Sequence, residues 1–193
     1  MMRTYRMLLF ACAAFVLAAA PAPAQEMDEA AMMEAWQESM TPGEVHEYLA
    51  SFAGDWDVTA KMYMDPSQSP MESTGKTTKS MILGGRFLQE KMTGTMMGMP
   101  MEALGYTGYN NTTGKMEFSW MDNMGTMIMT GAGERDGETM TLMSEFMDPM
   151  TGKPAKVKMV VQANGPDEHT FTMYDASGSK NVLHMEVRYT RAK

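Results

Sequence analysis

Thioether sulfur is the most abundant candidate chemistry in this chain: 28 of its 193 residues are methionine, against a single cysteine. A thioether is a soft ligand suited to Cu(I) or Ag(I), an adaptable core filler and an oxidisable group that enzymes can reduce again. The densest cluster is Met96-Met97-Gly98-Met99-Pro100-Met101, between two strand-like runs. There Gly98 and Pro100 would curl the backbone so that several sulfurs converge on one ion. Met62/Met64 and Met127/Met129 have the Met-x-Met spacing that sets two thioethers on one face of a strand. Against the copper reading stands a plainer one, in which methionine replaces the usual aliphatic residues of a core. Isoleucine occurs only at Ile82 and Ile128, which is what such replacement would leave. A sacrificial oxidant sink is a third possibility.

Other constellations are sparse. The most suggestive polar set is Arg86, Glu90, Tyr106, Tyr109, Trp120, Asp122 and Asn123. Pointing inward, these residues would give an apolar cavity convergent polar groups, the usual make-up of a small-ligand site. Packed otherwise, the aromatics would cap a core and Arg86 would pair with Glu90 along one strand face. His46, His169 and His184 are the only histidines. His46 reads as a solvated helix residue, and His184 as a residue that could face an interior, where a lone histidine can ligate haem or serve as a hydrogen-bonded structural group. No His-x-x-x-His spacing, Gly-x-Ser-x-Gly elbow or phosphate loop is present. No catalytic residue is assigned.

Before these residues runs an address. Arg3 and Arg6 precede a continuous apolar run over residues 7–20, and Pro21-Ala22-Pro23-Ala24 ends in small residues. Basic, apolar, then Ala-x-Ala is the order of a secretory signal peptide, and the run is short for a membrane span. Cleavage after Ala24 is expected, with a periplasmic or secreted product. Cys12 lies inside the apolar run, so the mature chain would have no thiolate, disulfide or cysteine-based zinc site. The leader holds two of the 16 basic residues and none of the 24 acidic ones, so its loss deepens the formal charge of −8. Such a surface repels phosphate backbones and argues against nucleic-acid partners.

The elements that must position these residues are legible from periodicity. Residues 25–53 read as one or two short helices. Ala30, Met33, Trp36 and Met40 recur at helical spacing, and Thr41-Pro42-Gly43-Glu44 reads as a cap, a first-turn proline and a capping-box glutamate. From residue 54 the period becomes two. Ten strand-like runs follow: 55–64, 72–82, 86–95, 102–109, 115–120, 126–131, 139–147, 156–162, 169–174 and 182–190. Turn residues separate them and no helix intervenes, which predicts antiparallel neighbours in a sheet that curls closed. The expected fold is therefore mainly β, an up-and-down barrel over residues 54–193. Leu183, Met185, Val187 and Tyr189 share one face of the last strand, with His184, Glu186 and Arg188 on the other.

At Gly54-Asp55-Trp56 the sequence resembles the calycin superfamily, where Gly-x-Trp opens the first strand and an arginine from the last strand lies across the tryptophan. Arg188 or Arg191 would fill that role. Over residues 52–191 it resembles the bacterial family called domain of unknown function 1579. The resemblance is carried by Phe52-Ala53-Gly54-Asp55-Trp56, Ile82-Leu83-Gly84-Gly85-Arg86-Phe87-Leu88, Leu104-Gly105-Tyr106-Thr107-Gly108-Tyr109-Asn110, Trp120-Met121-Asp122-Asn123-Met124 and Asp148-Pro149-Met150-Thr151-Gly152-Lys153. What it implies is a lipocalin-like barrel, with no activity to carry over. The methionine density is this chain's own departure.

The expectation is an exported, non-catalytic barrel holding a small apolar ligand among Trp56, Arg86, Glu90, Tyr106, Tyr109, Trp120, Asp122, His184 and Arg188, without a cofactor. The alternatives are a copper or silver binder using Met96, Met97, Met99 and Met101, and an enzyme of unrecognised type around Arg86, Tyr106 and Asp122. Oligomeric state is not legible.

Overall fold

The computed structural model describes residues 28–65 and 68–193, so the signal peptide expected over residues 1–24 lies outside the described residues. Two helices, α1 (Glu29–Met40) and α2 (Glu44–Ser51), precede ten strands. The strands are β1 (Gly54–Met62), β2 (Met71–Ile82), β3 (Phe87–Met96), β4 (Met99–Asn110), β5 (Lys115–Asp122), β6 (Met129–Asp136), β7 (Thr139–Met147), β8 (Pro154–Ala163), β9 (Glu168–Asp175) and β10 (Val182–Arg191). Each pairs antiparallel with its chain neighbours, and β1 pairs with β10 to close the barrel. Closure leaves no unpaired strand edge, which is how a sheet this long avoids edge-to-edge association.

Because the chain meanders, alternate connections lie at opposite ends. One end carries α2, the start of β1 and the end of β10; the other carries the connections after β1, β3, β5, β7 and β9. At the α2 end, Tyr48, Leu49 and Phe52 enter a buried cluster with Leu88, Met116, Met140, Leu142, Val157 and Met159 and plug the barrel. A second cluster joins Trp56, Val58, Met92, Met101, Ala103, Val187 and Tyr189 across the β10–β1–β4 side of the interior. Strand alternation decides which residues take part: Trp56 and Val58 are buried while Asp55, Asp57 and Thr59 are not. No helix among the described residues is long and apolar enough to cross a membrane.

Three local readings of the sequence are corrected. The cap of α2 is Gly43, not Thr41; Thr41 closes α1, and its Oγ1 donates to the Gln37 carbonyl. His46, not Glu44, completes the reciprocal cap, since its Nδ1 accepts from the Gly43 N–H at 3.0 Å. Far from being solvated, His46 is buried with its ring edge-on to Tyr109. Strand β6 runs through residues 133–136, read above as a turn, and leaves Met127 outside the strand. Gly131 and Gly133 permit this placement: a Cβ would lie 2.1 Å from the Met143 carbonyl oxygen at the first and 1.8 Å from that of Thr141 at the second. Only glycine admits the β7 backbone so closely.

The Met96–Met101 segment is a tight hairpin, not an open loop. Met96 pairs with Met99, leaving Met97 and Gly98 as a two-residue turn with φ of 53° and 77°. Both central residues in the left-handed region is the primed turn that matches strand twist. Its four sulfurs consequently do not gather: Met96 and Met101 line the interior, while Met97 and Met99 are exposed.

Candidate functional site

The barrel encloses a cavity of about 300 Å³ that runs from the α2 end toward the opposite connections. Its wall is mostly apolar. Nine of the lining residues are methionines, among them Met62, Met96, Met101 and Met185, with Val58, Leu88, Phe118, Trp120, Phe171 and Val187 between them. Unbranched thioether side chains suit a cavity that must fit an irregular occupant, because they change rotamer at little cost.

The α2 end of the cavity is polar. Lys79 projects from β2 and is 7% exposed; its Nζ lies 3.0 Å from His169 Nε2 and 3.4 Å from Glu90 Oε2. Thr77 Oγ1 sits 3.1 Å from both Glu90 Oε1 and the Lys91 carbonyl, so one hydroxyl proton serves two acceptors. Tyr189 stacks on His169 with ring centroids 4.3 Å apart and holds the Lys79 Nζ 4.1 Å from its own centroid. Trp56 and Phe52 meet the imidazole edge-on at 4.4 Å and 5.0 Å. The imidazole is 1% exposed, separates the main cavity from a second hollow under Trp56, and leaves its Nδ1 with no hydrogen-bond partner.

Burial governs the ionisation of this floor. It holds the Lys79 amine below its usual value, with the neighbouring Glu90 charge opposing only part of the effect. His169 is pushed down to about 2, first by burial and then by the Lys79 and Arg191 charges, so its ring is neutral at any physiological pH. The Tyr189 phenol is held well above its ordinary value, by burial and then by Glu90.

At the far end, Asp122 accepts a 2.9 Å bond from Trp120 Nε1 through one oxygen and a 3.0 Å bond from the Met124 N–H through the other. Both acceptors are thus occupied, and the indole is pinned along the cavity wall.

Of the residues singled out from sequence, Glu90, Tyr106, Trp120 and Asp122 border the cavity. Tyr106 does so from the wall, with its hydroxyl taking a 3.1 Å bond from Gln89 Nε2. Trp56 is buried beneath the floor, its Nε1 donating to the Phe52 carbonyl at 2.9 Å, and Tyr109 packs against the plug. Arg86 is spent on its own turn, donating to the carbonyls of Leu83 and Gly84, and does not pair with Glu90. His184 is exposed beside a register shift in β10, which corrects the expectation of an interior histidine. Arg188 faces outward and pairs with Glu168. The arginine across the Trp56 ring is Arg191, its guanidinium 4.2 Å from the centroid and its Nη1 bonded to the Ala53 carbonyl. That is the arrangement the calycin resemblance implies.

Lys79, His169 and Thr77 were missed. His169 shares the phase of Phe171 and Met173 along β9, so its inward facing was open to reading. Lys79 was not, because both faces of the Lys76–Ser80 stretch are polar. Among the described residues, no group of three or more histidine, cysteine or acidic side chains could hold a metal ion.

A closed ten-stranded antiparallel barrel, plugged at one end and holding an apolar cavity over a polar floor, is the class that fold and site define. The chain belongs to the DUF1579 family, proteins of unknown function, whose sequence profile matches residues 41–191. No curated protein matches it in sequence. Among solved structures it is similar to Rv2717c from M. tuberculosis at 20% identity and a TM-score of 0.55, over 79% of this chain and 100% of that one. It is also similar to a redesigned β-barrel at 16% identity and a TM-score of 0.43, over 76% of this chain and 96% of the other. At these identities the likeness is one of fold.

Proposed function

We propose that this protein is an exported, non-catalytic carrier of a small, mainly apolar molecule held in the barrel cavity. The observation that carries the reading is the cavity of about 300 Å³, methionine-rich along its wall, whose carboxylate, amine and imidazole groups are Lys79, Glu90 and His169 on the floor and Asp122 opposite. Burial of an apolar ligand there supplies about 25 cal/mol per Å² of apolar surface, and the floor selects the end that enters first. Export rests on the basic, apolar and Ala-x-Ala order of residues 1–24.

The test is fluorescence titration with N-phenyl-1-naphthylamine, a neutral apolar probe. Saturable one-to-one binding is expected, weakened at least about tenfold by Ala60→Trp, since each 1.4 kcal/mol lost is tenfold in affinity and Ala60 borders the cavity. Absence of binding, or equal binding by the variant, rejects the cavity. Export is checked by the N-terminus of the protein recovered from its host: Gln25 is expected, and an intact Met1 in the cytosol rejects it.

A second reading, soft-metal capture, is favoured by the nine lining methionines. Cu(I) competition against a chromophoric chelator separates two sulfur sets. Loss of binding in Met96→Leu/Met101→Leu places the ion in the cavity, and loss in Met97→Leu/Met99→Leu places it on the rim. No competition by the wild type returns all four to packing.

A further inference from the structure

We propose that Lys79 captures aldehydes covalently, as an imine formed at the floor of the cavity. The proposal rests on the cavity reading and names the chemical class of its occupant.

The contact with His169 favours the neutral amine of Lys79 over the ammonium that Glu90 would hold. Its Nζ touches His169 Nε2 at 3.0 Å, and His169 Nδ1 has no partner. If an ammonium donated to Nε2, the imidazole proton would sit on Nδ1 as a buried donor with no acceptor. If Nε2–H instead donates to the lysine lone pair, Nδ1 is a bare lone pair, and no buried N–H is orphaned. A buried unsatisfied group costs about 1–3 kcal/mol, and the second arrangement leaves the milder vacancy. It requires an unprotonated Lys79. Desolvation acts in the same direction and outweighs Glu90, which favours the charged form, as do the ring faces of Phe52 and Tyr189. A desolvated lysine amine in an apolar pocket is an activated nucleophile toward carbonyls.

The lining chooses the carbonyl. Glu90 and Asp122 are the acids bordering the cavity and Lys79 is its sole lysine or arginine, so an anionic ligand meets more repulsion than attraction. An uncharged aldehyde on an apolar body meets neither. The amine lone pair attacks the carbonyl carbon, a C–N bond forms, and the oxygen takes a proton to give a carbinolamine. The C–O bond then breaks, the nitrogen gives up its remaining proton, and water leaves. Aldehyde and amine become imine and water, with no change of oxidation state. Glu90, 3.4 Å from Nζ, is placed to ferry the proton from nitrogen to oxygen. The apolar wall keeps out the water that would reverse the step.

The experiment is reductive trapping. The full-length mature protein is incubated with trans-cinnamaldehyde and cyanoborohydride at pH 7, then weighed intact and mapped by peptide. One adduct on Lys79 is expected, with the exposed Lys76 unmodified. Lys79→Met and Lys79→Arg should each reduce the adduct at least about tenfold, as loss of a nucleophile requires. Adducts spread over surface lysines with Lys79 spared overturn the proposal, and this arm needs no variant to fold. Cinnamaldehyde that displaces the naphthylamine without forming an adduct overturns the imine alone and leaves the cavity reading standing. A wild type that binds neither molecule rejects both.

Discussion

His169 is the residue where local structure and whole-chain stability meet most directly. Its protonation is held down to about 2 in the folded protein against 6.5 in an open chain. The unfolded chain therefore takes up a proton below pH 6.5 that the native ring refuses. Stability from this group is intact above pH 6.5 and falls as the pH drops toward 2, by up to about 1.4 kcal/mol per unit. Urea denaturation at pH 7, 6 and 5 should show that decline, and His169→Phe, which keeps a ring stacked on Tyr189, should flatten it. An equal slope in the variant would assign the acid sensitivity to other groups. Lys79 acts in the same sense at the alkaline end: its depressed proton affinity makes folding more favourable as the pH rises toward its ordinary value.

At the scale of elements, two hairpins carry opposite predictions. In the β3–β4 turn, Met97 occupies a left-handed conformation, φ 53°, that asparagine or glycine accepts more readily. Met97→Asn should stabilise the barrel by about 0.5–1 kcal/mol, read as a rise in the urea midpoint at constant slope. In the β6–β7 pair, Gly133→Ala would set a methyl 1.8 Å from the Thr141 carbonyl oxygen, against backbone that cannot yield without breaking its ladder. A loss of at least about 2 kcal/mol is expected, within the range of overpacked cores; a neutral outcome would mean that β6 sits farther from β7. The same glycines explain why β6 was misplaced from sequence. Gly131-Ala132-Gly133 gives no alternation, whereas residues 126–129 imitate a strand. Nine other strands were legible because each alternates or is bracketed by turn residues. Lys79 stayed hidden because burial there follows the partner strands, not β2 itself: Gly54 and Glu90 are its cross-strand neighbours, and neither announces a site.

Across the whole molecule, methionine is sorted by depth. Met116 is fully buried and Met140 and Met159 nearly so, while Met64, Met97, Met147 and Met150 stand 54–80% exposed at the end opposite the helical plug. Between them lie the cavity methionines, such as Met62, Met96, Met173 and Met185, which are only partly covered. Oxidation rate follows access of peroxide to sulfur, so this sorting makes the chain its own footprinting reagent. Brief peroxide treatment followed by peptide mass mapping should show three classes: rim sulfurs oxidised first, cavity sulfurs next, and plug sulfurs last. A cavity occupant should slow the middle class most and leave the rim unchanged, because it fills the space peroxide must cross while the rim stays in solvent. N-phenyl-1-naphthylamine at 100 times its dissociation constant should also stabilise the fold by about 2.7 kcal/mol through binding only the native state. Protection spread evenly over rim and plug would instead indicate association of whole molecules or a general tightening. Protection confined to Met62, Met96, Met173 and Met185 would locate the occupant along the wall that leads down to Lys79.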